Sequence, residues 1–283
     1  MIKILTDSTA DLTPELQERY GIHVIPLFVT INGRTYVDDG VDIGRREFYS
    51  KLRATSKLPI TSQPSVGDFQ KVFRELTADG SEVLCLTISS QMSGTYVSAK
   101  AAADSMPEAR IHLMDSRQVS VALGQMAIRA AREVAAGRSA AEVLQILDKM
   151  ADSAGIVFLV ETLEYLHKGG RIGAASVLVG TLLNIKPILT IKKGLIHPLN
   201  QVRSKKSAKE RMLSLLAEQV PAGAAIWGAI AHGDNLSDAE WLAEQLRMRY
   251  DCKELYIAEM GPVVGTHVGP GIFGTAIFPV DMQ

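Results

Sequence analysis

The sequence predicts an α/β protein: an N-terminal three-layer domain with a mainly parallel sheet, followed by a C-terminal α+β domain with a mixed sheet. Three observations carry that prediction. Up to about residue 155, short apolar runs alternate with amphipathic or alanine-rich stretches, the pattern of strands separated by helices. Beyond it the order is less regular and includes Lys193-Gly194 between two apolar runs, a hairpin signature. At 283 residues the chain also reaches the size, about 250 to 300 residues, at which single cores stop growing. We therefore expect two domains, residues 1–155, with a hairpin excursion at about 25–42, and residues 156–283.

In chain order, 2–6 reads as a strand, and Pro14 suits the first turn of a following helix capped by Asp11 or Thr13. Residues 24–31 read as one strand, turned by Asn32-Gly33 into 34–37. Helices are expected at 44–52, 66–78, 95–103, 125–136 and 140–153, with strands at 83–88 and 111–114 between them. In the second half, strands are expected at 156–160, 186–191, 195–199, 226–231, 255–257 and 274–278, and helices at 174–183, 207–219 and 237–250.

Composition narrows the function. Hydrophobic residues make up 47% and charged residues 22%, as in ordinary globular chains, and the formal net charge is -1. Broad nucleic-acid or membrane-surface binding usually needs a basic excess, so neither is expected. Cys85 lies in an apolar strand and Cys252 in a distant polar turn, which makes neither a disulfide framework nor a zinc spacing. The first residues lack a signal-peptide core, and no run reaches the roughly 18 apolar residues of a membrane span. A cytoplasmic, reduced protein without an integral membrane segment is the expectation.

The most distinctive stretch is 261–274, in which Gly261, Gly265, Gly269, Gly271, Gly274, Pro262 and Pro270 surround Thr266-His267. It reads as a fixed loop presenting those two side chains. Thr61-Ser62, Ser93-Gly94-Thr95 and Arg171 also stand in turns marked by Gly or Pro. Hydroxyls, amides at a helix start, a guanidinium and an imidazole together suit an anion such as a carboxylate or phosphate. Taken singly, Thr61 and Ser93 read as ordinary helix caps and Arg171 as a surface ion pair. Residues 174–183 are apolar nearly all round, which fits either a buried core helix or the lining for a fatty tail. An enzyme reading, a lipid or ester hydrolase using Ser93 and His267, lacks the Gly-x-Ser-x-Gly elbow and an assigned acid. No Walker or dinucleotide loop is present, and Asp7, Asp11, Asp38, Asp39 and Asp42 match no metal loop, so neither cofactor nor metal is expected.

Taken together, several segments resemble the DegV family of fatty-acid-binding proteins. They are Asp7-Ser8-Thr9-Ala10-Asp11-Leu12, Thr61-Ser62-Gln63-Pro64-Ser65, Ser89-Ser90 through Tyr96, Leu163 to Ile172, Asn184-Ile185-Lys186-Pro187-Ile188 and Gly265 to Gly271. The resemblance covers essentially the whole chain. It implies a carrier without catalytic residues that holds one long-chain fatty acid, such as palmitate, stearate or oleate, between its two domains. It further implies a role in phospholipid metabolism through a separate ATP-dependent fatty-acid kinase. Carried onto this sequence, it implies carboxylate binding by Thr61, Ser62, Ser93, the Gly94 amide, Thr266 and His267, with Arg171 nearby. It places the acyl tail against Phe158, Leu178, Leu182 and Phe273. Arg203, Lys205 and Lys206 resemble the family's basic stretch; a solvated face is preferred over a kinase dock.

Overall fold

The structure, a computed structural model, describes residues 1–178 and 185–281. Its first half contains β1 (Ile2–Asp7), α1 (Pro14–Tyr20), β2 (Ile22–Ile25), β3 (Phe28–Ile31), β4 (Arg34–Val37), α2 (Arg45–Ala54), β5 (Ile60–Ser62), α3 (Val66–Thr77), β6 (Glu82–Thr87), α4 (Thr95–Asp104), β7 (Ile111–Asp115), α5 (Val121–Ala135) and α6 (Ala140–Ser153). The second half contains β8 (Gly155–Leu159), α7 (Glu164–Lys168), β9 (Lys186–Lys192), β10 (Leu195–Val202), α8 (Lys205–Gln219), β11 (Ala225–His232), α9 (Leu236–Arg249), β12 (Asp251–Glu259), α10 (Pro262–Val268) and β13 (Phe273–Pro279).

The first half is built on a wholly parallel sheet, β2-β1-β6-β7. Alternate residues of β1 and β6 face opposite sides, as the period of two requires. Leu5, Val83 and Cys85 pack with Phe69, Phe73, Ala99 and Ala102 of α3 and α4. Ile4, Leu84 and Leu86 pack instead with Leu123 and Met126 of α5. The second half is a mixed six-stranded sheet, β10-β9-β8-β13-β11-β12, in which only β11 and β12 run parallel. One of its faces shares the α5 core, and Gln125 ties the layers by donating to the Gly228 carbonyl at 3.0 Å. The other face packs on α8 and α9.

The structure departs from the sequence reading at four places. The single strand expected at 24–31 is two, β2 in the parallel sheet and β3 in a separate antiparallel sheet β4-β3-β5. Pro26 lies between them, with no N–H for a ladder. The Asn32-Gly33 turn has the positive φ at both residues, 50° and 85°, that such a hairpin needs. β5 joins this sheet through Thr61, opposite Val29, where the sequence suggested only a loop. The apolar helix expected at 174–183 is a 3-10 turn over Gly173–Leu178, and the rest of that stretch lies outside the described residues. The stretch 261–274 is not all loop, because Pro262 to Val268 form α10 with Pro at the first position.

A polar cavity with an apolar side chamber

A cavity of about 300 Å³ opens beyond the carboxyl ends of β1 and β6, where parallel sheets place ligands. Thr61 and Ser62 reach it from β5, Ser93 from the turn before α4, Arg171 from the turn after α7, and His267 from α10. Thr61 Oγ1 and His267 Nε2 are 2.8 Å apart. Burial, and secondarily the positive Arg171, push the His267 pKa down to about 4, so the imidazole is neutral at physiological pH. Its Nδ1 is buried without a partner among the described residues, against Gly169, where a Cβ would stand 2.5 Å away. A neutral ring with no acceptor at Nδ1 carries its proton on Nε2. Nε2–H then donates to Thr61 Oγ1 and leaves the threonine proton free to point at a ligand.

Arg171 donates from Nε to the Met92 carbonyl at 3.0 Å and from Nη1 to the Gly169 carbonyl at 2.8 Å. Among the described residues it has no carboxylate partner, so its charge is not cancelled by an acid at the cavity. The Ser93 hydroxyl lies 2.8 Å from that of Thr95, whose amide also donates to it at 3.3 Å. Two hydroxyls, a partly free guanidinium and an imidazole-oriented threonine thus face one small volume. This is a donor set for an anion.

The remaining expected residues lie elsewhere. Gly94 caps α4 but does not line the cavity; the Gln63 carboxamide lies across it, 2.5 Å from where a Cβ would be. Gln63 itself is a cavity residue and donates to Ser98 at 3.1 Å. The Thr266 hydroxyl donates to the Pro262 carbonyl one helical turn back, at 2.8 Å, and does not line the cavity. Thr9 and Ile88 line it without having been singled out in the sequence, since both are short or apolar residues at strand ends.

A second, almost wholly apolar chamber of about 60 Å³ adjoins the first. Val119, Ile196, Val264 and Val268 belong to the walls of both, forming a shared neck. Phe158 lines this chamber together with Ala122, Gly274 and Ala276. Phe273 does not: it pairs with Leu159, one residue out of phase with Phe158, and packs into the core on the opposite face. Leu178 packs against the edge of the α5 core and lines neither space, and Leu182 lies outside the described residues.

Among the described residues, no helix is long and apolar enough to cross a membrane. Comparison with known proteins places these features in a family. A DegV domain-containing protein of Halalkalibacterium halodurans is 36% identical over 274 residues, covering 96% of each chain. A DegV family protein from Thermus thermophilus, described by its fatty acid binding, superposes with a TM-score of 0.93 at 35% identity over 99% of each chain. A stearic acid-binding protein from Eubacterium ventriosum superposes with a TM-score of 0.89 at 28% identity over 99% of this chain and 98% of its own. The profile of the DegV family, described as uncharacterised proteins, matches residues 1–280, and the chain belongs to that family.

Proposed function

We propose that this protein binds one long-chain fatty acid, with its carboxylate in the polar cavity and its tail directed through the neck into the apolar chamber. The observation that carries the reading is the pairing of two unlike volumes. The one holding Thr61, Ser62, Ser93, Arg171 and His267 shares four wall residues with one lined almost entirely by carbon. A phosphate or a short acid has no use for the second volume, whereas each methylene removed from water stabilises a bound fatty acid by about 0.8 kcal/mol. The relatives described as fatty-acid-binding and stearic acid-binding support the same ligand class. Palmitate, stearate and oleate are the ligands we favour. With residues 1–155 and 156–283 taken as two domains, the carboxylate lies at their junction.

The protein acts as a carrier rather than an enzyme. His267 Nε2 is engaged by Thr61, and Ser93 by Thr95, so the serine lacks the adjacent base a hydrolase requires. The ligand it holds would be handed, carboxylate first, to a separate ATP-dependent kinase in phospholipid metabolism. The chain brings no cofactor of its own to that step. Native mass spectrometry of the purified protein tests the reading: a co-purified mass equal to one fatty acid is expected. Absence of any such adduct, together with Ser93-dependent turnover of p-nitrophenyl esters, would replace the carrier with an esterase.

A further inference from the structure

Three carboxyl groups are buried behind the cavity, and the proposed ligand contacts use none of them. Asp7, Asp11 and Asp38 are 0%, 2% and 6% exposed. Each is spent on a group in or beside the cavity wall. Asp7 accepts the amides of Ile88 at 2.7 Å and Thr9 at 3.0 Å. Asp11, in a left-handed turn at φ 48°, accepts the Ser120 hydroxyl at 2.6 Å and the Gly261 amide at 2.7 Å. Asp38 accepts the Ser8 hydroxyl at 3.2 Å and the Val263 amide at 3.3 Å.

Gly261 and Val263 flank Pro262, which has no N–H, at the start of α10. Both amides on either side of that proline are therefore held by acids from the first half of the chain. The fit is close: a Cβ on Gly261 would stand 2.7 Å from Asp38 Oδ1. Ser120 is held at φ 57° and ψ -145°, a conformation that strains any residue but glycine, next to the neck residue Val119. Arg45 is the positive group that acts on Asp11 and Asp38, and its own Nε is bonded to the Glu259 carbonyl at 2.7 Å. Burial pushes the pKa of Asp38 up to about 7 and those of Asp7 and Asp11 up to about 6. Near neutrality these groups are costly to keep, and apolar packing would serve stability better.

We propose that Asp11 and Asp38 are positioning residues for the head-group site, fixing through Gly261 and Val263 the helix that carries His267 and so holding its imidazole against Thr61. For its ligand the inference rests on the fatty-acid reading; for the imidazole it does not. Asp11→Asn and Asp38→Asn keep the side-chain volume and remove the charge. Palmitate and hexadecanol displacement separates head from tail, because the alcohol lacks the carboxylate. The ¹⁵N resonances of the His267 ring report its placement without any ligand. Palmitate affinity should fall about tenfold, hexadecanol affinity by less than about twofold, and the ring resonances should shift. Leu246→Ala, on the buried side of α9, should melt lower and change neither. If an aspartate variant fails to fold, Ser120→Ala removes one donor to Asp11 and should produce the same pattern at about threefold. His267 resonances at their wild-type positions, or an unchanged palmitate-to-hexadecanol ratio, overturn the proposal. Should the unaltered protein bind neither lipid, the fatty-acid reading fails and the resonances alone decide.

Discussion

The two faces of the six-stranded sheet differ in the size of what they bury. Toward α5, its central strands β11 and β13 present Ala229, Ala231, Gly274 and Ala276 at the chamber, while the larger Trp227 and Phe278 pair at the other end of the same face. Toward α8 and α9 the same strands present Ile226, Ile230, Phe273 and Ile277. The second face closes into dry core. On the first, the missing volume becomes the side chamber, bounded by Phe158. A cavity here is the result of small side chains recurring every second residue on one face, while the backbone of the strand is shared with a filled core.

The ionisable groups repeat the contrast, and they give the largest expected effect. On the cavity side, burial raises Asp38 to about 7. On the far side, burial would also raise Asp238, but hydrogen bonds from Lys205 and Lys209, the latter at 2.6 Å, hold it below its ordinary value. For Asp38 the folded pKa lies above the unfolded one, so its contribution is full below about pH 3.8 and is lost as pH rises through about 7. Asp38→Asn should then gain up to about 4 kcal/mol over the unaltered protein at pH 8 and nothing well below pH 3.8. Asp238→Asn should do the reverse, losing stability at pH 8 that was already absent well below pH 3.8. Denaturant melts of both variants at pH 2, 4, 6 and 8 measure this; parallel curves for the two would erase the distinction.

A smaller effect tests the volumes directly. Ala276→Leu adds three carbons to the chamber wall and should displace a matching length of acyl tail, at about 2.4 kcal/mol or roughly sixtyfold in palmitate affinity. Phe273→Leu, on the same strand but the far face, should lower the melting temperature and leave palmitate affinity within about twofold. Titration of the two variants with palmitate decides it; comparable losses of affinity would mean that the far face, too, contacts the ligand. The least effect is expected from Thr266→Val. Its hydroxyl serves the Pro262 carbonyl, so the loss should be about 1 kcal/mol of stability with no change in affinity. A clear drop in palmitate binding would return Thr266 to the site.

How far the sequence discloses this protein depends on whether the signal is local. The alternation of strands and helices in the first half is local, and α6 spans the expected residues 140–153. Its Ser139–Glu142 capping box is visible in the chain itself. α10 is the opposite case. Seven residues with a glycine, a proline and three valines have poor intrinsic helicity, and buried contacts with aspartates far along the chain hold it in place. The polar members of the cavity could be picked out because Gly and Pro mark their turns. Its apolar members could not: Ile88 and Val119 look like any strand-end residue. Phe158 and Phe273 are indistinguishable in sequence, and only the register of β8 against β13 sends them to opposite faces.

The place of β13 has a consequence for how the protein comes into being. It lies between β8 and β11, both of which precede it in the chain, and neither of those two pairs with the other. Until residues 273–279 have been made, the sheet exists only as two separate ribbons, β10-β9-β8 and β11-β12. The parallel sheet of the first half, by contrast, has all its strands by residue 115. Inserting a late strand between distant early ones is a slow, non-local step. The chamber wall made by Gly274 and Ala276 arrives with that strand, so the side chamber cannot close before it is in place.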